Sequence, residues 1–249
     1  MKKPTKDIND WRLQAYSELA EDWVSPWTGE VFGKGSPVVL TAPIKLRKDK
    51  HLNIPIPNAS ASCLNISKKC WDEAKDLRLS ANIDSSLKKQ LYFPTDEEAI
   101  NYIELIMQSI VFSFTAIESF VNELIPDSHQ YIKQTKNGPK PYTKSEIERY
   151  LSIDEKIGEV LPTALNVASP KGKHKSWNEL QKLKNIRDRL IHMKSEDRRH
   201  TNPDQKTLWG ELVKAEPPYR EAFSVIQYFI EKANLSFRWY NLGKSFFSK

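Results

Sequence analysis

The sequence predicts a mainly α-helical bundle preceded by an irregular arm, and three observations predict it. Helix-breaking residues concentrate between positions 25 and 61. A long three- and four-residue apolar repeat follows Thr95, and a Ser or Thr with Glu three residues on stands at three plausible helix starts: Thr95 with Glu98, Thr143 with Glu146, and Ser176 with Glu179. In each pair the hydroxyl can accept from a free first-turn amide while the carboxylate reaches back to the cap's own amide.

Taken in order, residues 6–23 have helical periodicity, because Ile8, Trp11, Leu13, Tyr16, Leu19 and Trp23 recur with polar residues between them. From 25 to 61, Pro26, Gly29, Gly33, Gly35, Pro37, Pro43, Pro55 and Pro57 break any helix. The run Pro37-Val38-Val39-Leu40-Thr41 is the best short-strand candidate, so the arm has room for a small hairpin. A helix is expected over 67–91 through Trp71, Ala74, Leu77, Leu87 and Leu91. The strongest helix follows Thr95 through Ala99, Ile103, Ile106, Ile110, Phe114, Ile117, Val121 and Leu124 until Pro126. It spans roughly 30 residues, or about 45 Å. A basic, Gly- and Pro-containing connection is expected from 133 to 141, shorter helices at 143–151 and 154–161, and a helix from Ser176 through Leu180, Leu183, Ile186 and Leu190 to Met193. The last helix is expected at Pro217-Pro218, since proline suits a first turn, and continues to Ala233. The expected division is 1–62, a helix and irregular arm, and 63–249, a helical domain.

The 249 residues carry 38 Lys and Arg against 32 Asp and Glu, a net charge of +6 that permits an anionic partner without requiring one. No long uninterrupted apolar run and no signal-peptide core is seen, so a soluble, cytoplasmic protein without a membrane partner is expected. Cys63 and Cys70 lack zinc-site spacing and are expected to be free thiols. Walker, GxGxxG, HExxH and Gly-x-Ser-x-Gly signatures are absent, which disfavours the common nucleotide, zinc and serine-hydrolase chemistries.

Of the five histidines, His192 has a charged neighbourhood at helical spacing; His51 and His129 lie in or beside loops, and His174 and His200 in basic runs. Residues four apart share a helix face, so Asp188 is placed to hydrogen-bond one ring nitrogen of His192 and leave the other free, an arrangement suited to an acid/base. Arg187 is five residues before His192, an angular offset of about 140° on an ideal helix. Either the helix is distorted there or the two converge on a ligand at its edge. The bland alternative is a surface Asp-His pair beside a solvated arginine. The basic runs 133–144 and 171–175, and the aromatics Tyr219, Phe223, Trp239 and Tyr240, rank lower, as a solvated loop and as core respectively.

The stretch Leu183-Lys184-Asn185-Ile186-Arg187-Asp188-Arg189-Leu190-Ile191-His192 resembles the RNxxxH signature of the HEPN superfamily, with Asp188 where Asn is commoner. Upstream, Phe114-Thr115-Ala116-Ile117-Glu118-Ser119-Phe120-Val121-Asn122-Glu123-Leu124 is similar to the long helix such domains carry. The resemblance covers at most residues 67–240. It implies a HEPN-like helical bundle and a metal-independent, cofactor-free endoribonuclease. In that role Arg187 and His192 are catalytic, Asp188 orients His192, and Glu118, Lys184, Arg189 and Lys194 contact substrate. It further implies an active site shared across a homodimer, a toxin or antiviral-defence role, and an antitoxin or regulatory partner. Two alternatives stay open: a non-catalytic HEPN-like module binding RNA, nucleotide or protein, and a plain helical interaction protein dimerising through 95–125.

Overall fold

The computed structural model describes residues 10–26, 28–198 and 206–247, and the protein is mainly helical with small two-stranded sheets. The described part of the arm consists of short strands joined by turns. Strand β1 (Tyr16–Glu18) pairs antiparallel with β4 (Pro37–Val39), enclosing the short hairpin β2 (Trp23–Val24) and β3 (Val31–Phe32); β5 (Thr41–Arg47) and β6 (Lys50–Pro55) form a further hairpin. The strand expected at 37–41 is present over 37–39, and Thr41 already opens the next strand after Leu40. The helix expected over 6–23 is not: residues 6–9 lie outside the described residues, and 10–23 are turn and strand. Local side-chain bonding explains the difference. The Asp10 carboxylate takes the Arg12 amide at 2.9 Å, a bond that competes with helix formation. Trp11 is committed to a distant partner: it lies against Phe246 and Phe247 near the C-terminus, so close to Gly243 that a β-carbon there would stand 2.7 Å from the indole.

Helix α1 (Ala59–Ser80) starts eight residues before the expected 67 and ends eleven before 91. Its start is set by Asn58, whose side-chain oxygen accepts from the Ala61 amide at 2.9 Å while its amide nitrogen donates to Glu123 and Gln14. The first turns bury Ser60, Ala61 and Ser67, residues too small and polar to register as an apolar stripe. The Ser67 hydroxyl instead meets the hydroxyls of Ser109 (3.0 Å) and Ser113 (2.6 Å) on the neighbouring helix. At the other end Asn82 turns left-handed (φ 54°), and Leu87 and Leu91 are exposed rather than packed.

Helix α2 (Asp96–Leu124) is the expected one, with the Thr95 hydroxyl accepting from the Glu98 amide. By length and composition α2 is apolar enough to cross a membrane, although no uninterrupted apolar run is present; here it is the central helix, packed by α1 and by three later helices. The expected basic connection is instead a hairpin, β7 (Gln130–Thr135) with β8 (Gly138–Thr143), closed by Lys136-Asn137 before Gly138 at φ 98°. Gly138 supplies the left-handed residue that follows the two-residue turn, a hairpin feature that the basic composition does not report. Then follow α3 (Lys144–Tyr150), α4 (Ile153–Glu155), a π-helical turn at Lys156–Val160, and α5 (Leu161–Leu165). The Thr143 amide donates to the Glu146 carboxylate at 2.8 Å, as its spacing predicts.

Helix α6 (Lys175–Ile191) is capped by His174, whose Nδ1 accepts from the Ser176 amide, so Ser176 lies inside the first turn and is not the cap. After a 3-10 turn (Ser195–Arg198) come α7 (Leu208–Val213), α8 (Pro218–Lys232) and α9 (Arg238–Phe247). Proline opens α8 as expected; α9 is an additional helix. The core lies where α2 meets α1, α6 and α8, around Ile106, Ile110, Phe114, Ile117, Leu183 and Phe229.

Candidate active site

The two segments singled out in the sequence pack against each other. Arg187, on the last turns of α6, lies over the ring of Phe114 on α2, its guanidinium carbon 3.7 Å from the ring centroid. Its Nη2 stands 3.6 Å from a Glu118 carboxylate oxygen one α2 turn further on, and its Nη1 stands 2.9 Å from Asp188. The buried Nε has no hydrogen-bond partner. A planar cation held by one aromatic face and two carboxylates keeps donor capacity in reserve, which is what an arginine that receives an anion needs.

His192 resolves the angular problem. Helix α6 ends at Ile191, and His192 is its C-terminal cap with a non-helical backbone (φ −109°, ψ 50°), so its ring direction is not tied to the helical 100° step. It is solvent-exposed, and among the described residues its ring makes no hydrogen bond. The expected Asp188 hydrogen bond to that ring is replaced: the His192 amide donates to the Asp188 carbonyl at 2.9 Å, while the Asp188 carboxylate turns to Arg187. Leaving the helix at 192 removes the face that residues four apart would share.

Behind Glu118 stands a residue that spacing does not reveal. Lys156, at the start of the π turn, is buried; its ammonium donates to the Asn122 side chain at 3.0 Å and to the Glu148 carbonyl at 2.8 Å. Burial pulls its pKa down, opposed by the carboxylates of Glu118 and Glu148. Glu118 thus faces cations from two elements. A π turn commonly marks a functional position, but nothing in the sequence periodicity signals one here.

The other expected contacts go elsewhere. Arg189 is clamped by Asp197 (2.9 Å) and Glu211 (2.6 Å) and donates to the Lys206 carbonyl, pinning the end of α6 to the 3-10 turn and α7. Asp197 also accepts from the Leu208 amide; that bond first, then Arg189, lowers its pKa. Lys184 pairs with Asp154 at 2.5 Å, and Lys194 lies 3.8 Å from Glu196. In the basic runs, Lys133, Lys144, Lys171 and Lys175 pair with Glu155, Asp127, Glu159 and Glu179. Tyr219, Phe223, Trp239 and Tyr240 are buried core. His200 lies outside the described residues. Cys63 and Cys70 are free thiols on α1, and burial pushes both up, away from nucleophilic use.

Comparison with known proteins finds no matching family model, curated protein or solved structure.

Proposed function

We propose that the chain is a metal-independent endoribonuclease of HEPN-like type in which Arg187 and His192 do the chemistry. One observation carries this reading: the two sequence segments that resemble the superfamily meet, with Arg187 seated on Phe114 beside Glu118 and exposed His192 one turn away. RNA brings its own nucleophile. A base removes the 2′-hydroxyl proton, that oxygen attacks phosphorus, and the bond to O5′ breaks as an acid protonates it, leaving a 2′,3′-cyclic phosphate and a 5′-hydroxyl. His192 serves the proton transfers and Arg187 stabilises the crowded, doubly charged phosphorane. One protomer supplies one such histidine, so a homodimer with paired sites provides both acid and base. The resemblance alone suggests a toxin or antiviral-defence role with a regulatory partner.

One observation favours a second reading, a binding module without catalysis. Glu118 and Asp188 both lie against Arg187, two negative charges where phosphate would approach. Purified wild type and the Arg187→Ala/His192→Ala double variant, incubated with total RNA in EDTA, separate the two. Cyclic-phosphate ends from the wild type alone support the nuclease; RNA left intact by both proteins but bound by the wild type alone assigns the site to binding.

A further inference from the structure

The hairpin of β5 and β6 is the most unusual surface of the molecule. From Pro43 to Ile54 every residue is exposed, and among the described residues neither strand pairs with a third. At about 3.3 Å per residue the seven residues of β5 extend roughly 20 Å. Its tip carries Lys45, Arg47, Lys48 and Lys50 with the single acid Asp49, and the register sets Lys45 opposite His51 and Arg47 opposite Lys50. Like charges directly opposite each other destabilise a ladder. Among the described residues none of the four cations forms an ion pair, in contrast to Lys133, Lys144, Lys171 and Lys175, each matched to a carboxylate.

We infer that this hairpin is an RNA-binding arm whose four unpaired cations hold the phosphate backbone of the substrate while the α2–α6 site acts on it. The inference rests on RNA being the substrate of that site. Uncompensated repulsion across a ladder is relieved by a polyanion. A two-stranded ribbon is also narrow enough to lie along a nucleic-acid strand. The same hairpin has an aliphatic face, Ile44 opposite Leu52 with Ile54 beside them, which a lipid surface would also suit. The backbone argues against lipid: both outer edges of the ribbon carry unpaired N–H and C=O groups, which cost several kcal/mol each in hydrocarbon. RNA offers phosphate oxygens and 2′-hydroxyls to those edges. Pro43, Pro55 and the lysines also block addition of a further strand, which disfavours edge pairing with a protein partner.

The test uses a fluorescent single-stranded RNA with 2′-O-methyl groups, which lacks the attacking hydroxyl and so reports binding without cleavage. Its affinity is measured against salt for the wild type, the hairpin variant Lys45→Gln/Arg47→Gln/Lys48→Gln/Lys50→Gln, and a control with the same charge loss at Lys133, Lys144, Lys171 and Lys175. At about 0.7 per neutralised phosphate on a single strand, the slope of log affinity against log salt falls by about 3 in the hairpin variant, with affinity down roughly tenfold or more near 0.1 M salt. The control keeps most of its slope. Equal shifts in both variants, or no shift in either, overturn the inference. So does loss of phosphatidylserine-vesicle binding in the hairpin variant with RNA affinity unchanged, which assigns the arm to membranes. The two proposals fail separately. Hairpin-dependent binding without cleavage of ordinary RNA sinks the nuclease reading, whereas cleavage with an unchanged salt slope sinks the arm.

Discussion

The guanidinium of Arg187 lies over the ring of Phe114, 3.7 Å from carbon to centroid, and that contact joins the end of α6 to the middle of α2. Phe114 is fully buried, so the ring is a fixed platform and the arginine inherits its position from the core. An arginine placed by packing loses less freedom when it meets an anion than one waving in solvent.

Phe114→Leu tests this platform. A nearly volume-conserving swap costs about 1 kcal/mol in stability. It removes the aromatic face under Arg187, so the expected result is a fall in RNA cleavage of roughly tenfold with the fold retained by circular dichroism. Unchanged cleavage would mean that Glu118 and Asp188 suffice to hold the arginine.

Asp188→Asn acts in the other direction. The Asp188 carboxylate now occupies Nη1 of Arg187 at 2.9 Å and adds a negative charge where phosphate would come. Replacing it by the neutral amide frees that donor. RNA affinity and cleavage are expected to rise several-fold, most clearly at low salt where repulsion is least screened. A fall in cleavage would show that the carboxylate takes a positive part in the reaction.

Asn58 ties three parts of the chain. It caps α1 and donates to Glu123 on α2 and to Gln14 in the arm. Asn58→Ala should cost about 1 kcal/mol through loss of the cap, read as a lower urea midpoint. Asn58→Asp keeps the cap oxygen but sets a carboxylate against Glu123, about 3 Å away at present. It should be the less stable of the two at neutral pH and recover relative to Asn58→Ala in acid.

Glu221 gives a pH dependence of defined sign. Burial, aided by Glu179 and Glu216 and opposed by Lys182, pushes its carboxyl up to about 7. A carboxyl that holds its proton more tightly when folded stabilises the fold below its unfolded value of 4.5, and that contribution is lost as pH climbs through about 7. Allowing for partial solvent screening, the melting temperature of the wild type should fall between pH 5 and pH 8 by about 3 °C more than that of Glu221→Gln. Parallel curves for the two proteins would remove Glu221 from the account.

Helices with strong punctuation were legible in the sequence. α2 announces itself through Thr95, its apolar repeat and Pro126, α8 through Pro218, and the Arg187 to His192 stretch through residue type and spacing. Those signals are local: a capping oxygen, a missing amide, a stripe that must leave water. The sequence therefore determined a mainly helical protein and singled out one short stretch as the candidate for chemistry.

Tertiary structure decided the rest. The periodicity of 10–23 says that Trp11 packs against the core, not that it does so against Gly243 and the end of α9, so a strand-and-turn segment reads as a helix. α1 begins at small residues whose hydroxyls meet those of α2, a contact no apolar pattern reports. Whether Asp188 serves His192 or Arg187 depends on α6 stopping one residue before the histidine, and Lys156 reaches Asn122 from a turn 34 positions away. Periodicity records that a side chain leaves water; only the packing of elements distant in sequence fixes what it meets, and charge pairing depends on what it meets.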